Sequence, residues 1–236
     1  MTGFSDREAV SAYRNRAVQL VPGLHDLHRM TGVLLAERVP RDARLLVLGA
    51  GGGMELAELS RMHPDWRFVG VDPSAAMLDL ARTSLGETVS RVEFHEGYID
   101  DAPSGPFDAA VCLLTLHFLP AQERLATLRA LGSRLKPGAA FVCAHYSFPT
   151  DGAAPEKWLT RAAGFAIASG IPASLATENI ARLRERLPVV SPHQDEAMLG
   201  EAGFSDIELF YAALAFRGWI STRSETSGAW SAAGPD

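Results

Sequence analysis

The chain has 236 residues, of which 47% are hydrophobic, 21% charged and 8% aromatic. At about 150 residues per domain, this suits one large domain or a domain with a sizeable insertion, and the composition excludes general disorder. The net charge is −6, so no global field draws the chain to nucleic acid or to an anionic membrane.

The cations are 20 Arg and only 2 Lys, Lys136 and Lys157. In a chain rich in Ala and Gly this skew reads as composition bias first and anion recognition second. Cys112 and Cys143 sit in apolar runs and read as buried free thiols, not a disulfide or a zinc pair. No apolar segment reaches the roughly 18 residues of a membrane span. The opening MTGFSDREAVSAYRNR has no apolar core of a signal peptide, so a cytoplasmic location is expected.

In chain order, residues 1–10 are polar and read as mobile. Residues 24–39 carry apolar positions at helical spacing, opened by Pro22-Gly23 and closed by Pro40. Leu45–Leu48 is a buried strand running straight into a glycine cluster. Met54–Met62 then reads as a helix and Arg67–Val71 as a strand. Ser74–Leu85 is a helix with Met77, Leu78 and Ala81 on one face. Val92–His95 and Phe107–Leu114 are further strands. Gln122–Leu135 is a helix stopped by Lys136-Pro137-Gly138, and Ala139–His145 is a fifth strand. Strands alternating with helices imply right-handed crossovers and a doubly wound parallel sheet.

The pattern breaks at 147–190, which holds helical stretches at Glu156–Ala168 and Ala173–Arg186 and reads as an insertion over one edge of the sheet. A helix at Asp195–Glu201 and a strand pair, Asp206–Leu214 and Ala215–Thr222, follow. The tail 224–236 has no periodicity and reads as disordered, leaving its Trp230 unexplained.

Two motifs carry chemistry. In Leu48-Gly49-Ala50-Gly51-Gly52-Gly53, Gly49 permits a sharp turn and Gly51 a close backbone approach. The spacing is G-x-G-x-G. A dinucleotide loop wants a glycine where Met54 stands, which argues against a dinucleotide-dependent oxidoreductase, and a phosphate-binding Gly-Lys-Ser/Thr is absent. The second motif is Val69-Gly70-Val71-Asp72-Pro73. Asp72, 19 residues past Gly53 at a strand end, is placed to accept hydrogen bonds from ribose hydroxyls, or to cap the next helix.

With these motifs, GVDPSAAMLDLA (70–81), Glu96-Gly97-Tyr98-Ile99, FDAAVCLLTLHFL (107–119) and LKPGAAF (135–141), the sequence resembles the class I S-adenosylmethionine-dependent methyltransferases from about Arg41 to His145. The resemblance implies a Rossmann-like α/β fold: a doubly wound, three-layer α-β-α architecture around a seven-stranded sheet with its last strand antiparallel. It implies S-adenosylmethionine as cofactor. Gly49, Ala50, Gly51 and Gly53 would hold the methionine part, Asp72 the ribose, and Pro73, Met77, Gly97, Tyr98 and Ile99 the adenine side, with Leu113 and Leu114 on the far wall. Many members carry an acidic residue where this chain has Val47, and an Asp where it has Tyr98.

A narrower likeness, carried by Leu20–Gly23, 113–128 and 201–219, is to the carboxy-S-adenosylmethionine synthase family of tRNA modification. Its tyrosine, asparagine and arginine correspond to Leu24, Leu113 and a position near Ile180, with Arg182 two places on. The reading is therefore a methyltransferase that uses ordinary S-adenosylmethionine on a small-molecule acceptor. A carboxylated-cofactor synthase and a non-catalytic cofactor-binding partner are the alternatives.

Methyl transfer chiefly needs alignment and exclusion of water, helped by a base for some acceptors. His117 and His145, at the ends of the fourth and fifth strands, are the candidate bases; each also reads as a packing histidine. Arg16, His25 and Arg182 are candidate acceptor-binding residues, and no metal site is expected. The expected organisation is an N-terminal helical cap (1–40), a cofactor-binding sheet (41–146 and 191–222), a helical lid (147–190) and a flexible tail (223–236). A monomer and a homodimer both suit the sequence.

Overall fold

The computed structural model describes residues 6–225, with side chains from residue 12 onward. Trp230 and almost all of the expected tail lie outside the described residues.

Seven strands form one sheet: β1 Arg44–Leu48, β2 Arg67–Asp72, β3 Val92–Glu96, β4 Phe107–Leu113, β5 Leu135–Tyr146, β6 Phe204–Ala213 and β7 Phe216–Arg223. Their order is β3-β2-β1-β4-β5-β7-β6. β1 to β5 pair in parallel, while β7 runs antiparallel between β5 and β6. The Rossmann-like seven-stranded α/β fold is therefore the observed one.

The helices are α1 Asp6–Leu20, α2 Leu24–Ala36, α3 Met54–Met62, α4 Ala75–Leu85, α5 Ala121–Gly132, α6 Ala154–Ala168, α7 Ala173–Arg186 and α8 Pro192–Glu201. The pleat of β1 sorts the core into two layers. Leu45 and Val47 face Leu27 of α2, Leu56 of α3 and Leu78 of α4. Leu46 and Leu48 face the other way, in the layer that holds Leu131 of α5 and Leu199 of α8. Both cysteines are free and buried in the sheet centre, register partners on β4 and β5.

Three local readings change. The helix α1 begins at Asp6, inside the stretch that reads as mobile from sequence. Its residue Leu20 packs against Ala166 of α6 and Ile171, and Gln19 Nε2 donates to the Ser169 carbonyl (3.0 Å). Tertiary contacts of this kind stabilise a helix whose own periodicity is weak. The helix α5 ends at Gly132, and Lys136–Gly138 lies inside β5, at a register break against β4. Pro137 is tolerated there because a bulge asks for no ladder hydrogen bond. Ser74, not Asp72, caps α4 by accepting from the Met77 N–H at 3.3 Å.

The strand order reverses between β1 and β4, so their carboxyl ends open a crevice at the switch point. The glycine loop follows β1 and Leu114-Thr115 follows β4, and the site is built there.

Candidate active site

The loop leaves β1 with Gly49, Gly51 and Gly53 in the left-handed region, at φ 77°, 47° and 76°. Thr115 fills the space a Cβ on Gly49 would need, and a Cβ on Gly53 would press on Ala81 at 3.0 Å. Gly49 and Ala50 N–H groups donate to the Val71 carbonyl (2.8 and 3.0 Å), which lashes the loop to β2. Asp72 continues this tie: Oδ2 accepts from Gly51 N–H and Oδ1 from Ser74 N–H, both at 2.9 Å. Two fixed donors aim the carboxylate along the crevice.

A cavity of about 190 Å³ opens beside the loop. Gly49, Gly51, Asp72, Met77, Leu113 and Leu114 line it, and so do four polar residues the sequence reading missed: Tyr13, His28, Glu55 and Thr115. Leu114 itself holds a left-handed φ of 57°, backbone strain of the sort that gathers at binding sites. Ala50 and Gly53 are buried in the loop. Pro73, Gly97, Tyr98 and Ile99 are not among this cavity's walls. Gly97 N–H donates to the Asp72 carbonyl at 3.1 Å, which keeps that turn beside the loop. Tyr98 is 64% exposed.

A second, more apolar cavity of about 440 Å³ adjoins the first, and the two share Tyr13, Ala17, Leu114 and Phe118 as walls. One side is a single face of α1: Tyr13, Arg16, Ala17 and Leu20, at helical spacing. Asn179, Arg182 and Leu183 of α7 line it too, with His117, Tyr146 and Phe216 from the sheet side. Arg16 and Arg182, far apart in sequence, thus meet at one cavity. His25 does not join them. It is exposed on α2 and lines a surface pocket with Arg14, Glu58 and Arg61, which borders the first cavity at His28 and Met54.

A family model described as "Methyltransferase domain" matches residues 45–138, the stretch that holds the loop, Asp72 and the end of β4. Residues 45–138 thus carry a methyltransferase domain, and the whole chain is similar to class I S-adenosylmethionine-dependent methyltransferases. It is similar to the carboxy-S-adenosyl-L-methionine synthase of Chromohalobacter salexigens, at 27% identity over 221 residues, covering 92% of this chain and 82% of that one. The solved magnesium protoporphyrin IX methyltransferase of Synechocystis PCC 6803, with bound SAH, is similar in fold, with a TM-score of 0.61 at 17% identity over 86% of this chain and 84% of that one. The S-adenosylmethionine-dependent methyltransferase SibL matches with a TM-score of 0.60 at 21% identity over 86% of this chain. This chain spans 57% of the length of SibL.

S-adenosylmethionine is the cofactor of this methyltransferase, and the residues present fit it. Gly51 leaves its backbone open to a close approach, with the Tyr13 hydroxyl and the Met77 methyl 3.3 and 3.7 Å from where a Cβ would stand, and the Asp72 carboxylate has lone pairs left for hydroxyl donors. Among the described residues no group of three or more His, Cys, Asp or Glu is placed to hold a metal ion, and no helix is long and apolar enough to cross a membrane.

The two histidines at the strand ends part company. His117 lines the second cavity, and its Nδ1 accepts from the Tyr146 N–H at 3.4 Å. Burial holds its pKa well below the ordinary value. The ring is therefore neutral, with its proton on Nε2, and in that tautomer it donates a hydrogen bond where the sequence reading expects a base. His145 is 1% exposed and faces the opposite layer, its ring centroid 5.7 Å from that of Trp219. Its Nε2 lies 3.1 Å from Asp195 Oδ1 without the alignment of a hydrogen bond, and Asp195 is held by Arg124 at 2.7 Å. His145 thus packs in the α5/α8 layer, away from the crevice.

His28, three residues beyond the acceptor-binding candidate His25, lines the cavity beside the glycine loop. It is buried on α2, and burial pushes its pKa down to about 4, so it too is neutral. The spacing of Tyr13, Arg16, Ala17 and Leu20 is the one sequence signal that was available for the α1 wall. Nothing local marks Glu55 or Thr115.

Proposed function

We propose that this methyltransferase transfers a methyl group to a small, largely apolar acceptor that carries an anionic group. The observation that carries this reading is the continuity of the glycine-loop cavity with the apolar one through Tyr13, Ala17, Leu114 and Phe118. When bound, S-adenosylmethionine supplies an already activated methyl group, so the chain has only to align the acceptor and keep water out. The facing sides of α1 and α7 hold the acceptor's apolar body, Arg16 and Arg182 take its anionic group, and His117 Nε2–H donates to it.

Among the described residues, the walls of the second cavity offer no general base. His117 is in donor form, Tyr146 is pushed up to about 12 by burial, and Tyr13 is raised too. The acceptor atom is therefore one that ionises unaided, such as a carboxylate or an acidic phenol. The test is release of S-adenosylhomocysteine from a panel of aromatic acids and phenols set against neutral isosteres. The Arg16→Ala/Arg182→Ala double variant is expected to raise KM about tenfold or more while kcat changes little. Equal turnover of the neutral isosteres would sink the anionic-group reading.

The likeness to carboxy-S-adenosyl-L-methionine synthases over 92% of the chain favours a second reading, formation of a carboxylated cofactor. Against it, Leu24 and Leu113 are apolar walls of the cofactor cavity at two of the family's polar positions. A stable carboxylated sulfonium formed in the presence of prephenate would decide for the second reading.

A further inference from the structure

Glu55 is the second residue of α3, just after the glycine loop, and its side chain lines the cofactor cavity with Gly51 and Asp72. It is 8% exposed, its carboxyl bonds only its own backbone N–H, and it makes no ion pair among the described residues. A lone carboxyl in that state is unusual, because buried carboxylates are ordinarily paired. The titratable groups beside it are Asp72 of β2, Tyr13 of α1 and His28 of α2, with the Cys112 thiol of β4 feeling its charge from the sheet's other layer. Tyr13 is raised, His28 is pushed down to about 4 and Cys112 up to about 12, all by burial, so these three are uncharged at neutral pH. Only Asp72 is charged, and its sign is the same as that of an ionised Glu55. Val47, at the end of β1, is fully buried and offers no carboxylate of its own.

Among the described residues the cavity thus presents two carboxyls and no cation, and the cofactor brings cations: an α-ammonium on its aminoacyl end and a sulfonium. We propose that Glu55 binds the positive charge of the cofactor's methionine part and ionises as it does so, releasing its proton to solvent on binding. This rests on the cofactor assignment above. Two observations support it. Burial, with the Asp72 charge adding to it, pushes the free carboxyl up to about 8, and the other carboxyl among the described walls, Asp72, is already engaged by the Gly51 and Ser74 N–H groups. The proton leaves a Glu55 carboxyl oxygen for buffer as the ion pair forms, so charge and protons balance.

The experiment is calorimetric titration of the whole chain at pH 7 in two buffers of different ionisation enthalpy. The ligands are S-adenosylmethionine, S-adenosylhomocysteine (no sulfonium) and methylthioadenosine (neither cation). Wild type is expected to release close to one proton with S-adenosylmethionine and none with methylthioadenosine. Glu55→Gln is expected to release none and to bind S-adenosylmethionine 10- to 100-fold more weakly, with methylthioadenosine unchanged and Glu55→Asp intermediate. Weakened S-adenosylhomocysteine binding assigns Glu55 to the ammonium, and unchanged S-adenosylhomocysteine binding assigns it to the sulfonium. Undiminished S-adenosylmethionine affinity in Glu55→Gln, or an equal loss for all three ligands, overturns the proposal. No binding by the wild type overturns the cofactor assignment and this inference with it.

Discussion

The side chain of Thr115 stands where a Cβ on Gly49 would have to be. The end of β4 therefore dictates the glycine that follows β1, and the two residues are coupled across the crevice. Gly49→Ala should cost about 3 kcal/mol, from a left-handed backbone and steric overlap together. Adding Thr115→Gly should remove the overlap and leave about 1 kcal/mol. A double-mutant cycle in urea checks this; additive single effects would show that the two sites do not touch.

Asp72 holds Gly51 N–H and Ser74 N–H and faces the cavity. Asp72→Ala is expected to weaken S-adenosylmethionine binding by about 1–3 kcal/mol, roughly 5- to 150-fold in Kd. Isothermal titration measures it. An unchanged Kd would mean that the ribose sits elsewhere.

Arg124 and Asp195 form a buried pair between α5 and α8, and Arg124 Nη2 also donates to the Pro188 carbonyl at 3.2 Å, where the chain returns from the insertion. Arg124→Met or Asp195→Leu alone should each cost about 3–5 kcal/mol, because each strands the other charge. The double replacement should lie close to wild type. Chemical denaturation of the four proteins tests this, and a double variant weaker than either single would contradict it.

The pH dependence of stability in the cofactor-free protein follows from two opposed groups. Glu55 is raised from 4.5 to about 8, so its contribution is fully present below about pH 4.5 and lost as pH rises through about 8. His28 is lowered from 6.5 to about 4 and His117 also falls. Their neutral burial costs nothing above about pH 6.5 and increasingly more below it. Between about pH 6.5 and 8 the Glu55 effect stands alone, and stability should fall by up to about 1.4 kcal/mol per pH unit. Glu55→Gln should flatten that limb and uncover the acid fall. Urea midpoints between pH 5 and 8.5 give the profile, and identical profiles for the two proteins would refute it.

The legible features are those written in neighbouring residues. An apolar run ending in G-x-G-x-G can only be a buried strand meeting a tight turn, because left-handed φ at three alternate positions demands glycine. Asp72 is legible because strand length places it at the same edge. The pleat of β5 could have excluded His145: it shares parity with Phe141 and Cys143, which face α5 and α8, while Ala144 and Tyr146 face the other layer. His25 and His28 are three residues apart on α2, yet one is exposed and the other lines the cofactor cavity, according to how the helix packs on α3.

The sequence by itself determined the strand-and-helix alternation, the glycine loop and the acidic residue beyond it, since each follows from local backbone geometry and periodicity. Only the tertiary structure decided that Tyr13, His28, Glu55 and Thr115 meet at the loop and that Arg16 and Arg182 share one cavity. Those residues come from elements as distant as α1 and α7. Their meeting depends on which helix faces are buried at the switch point, a property of packing between elements that no local pattern records.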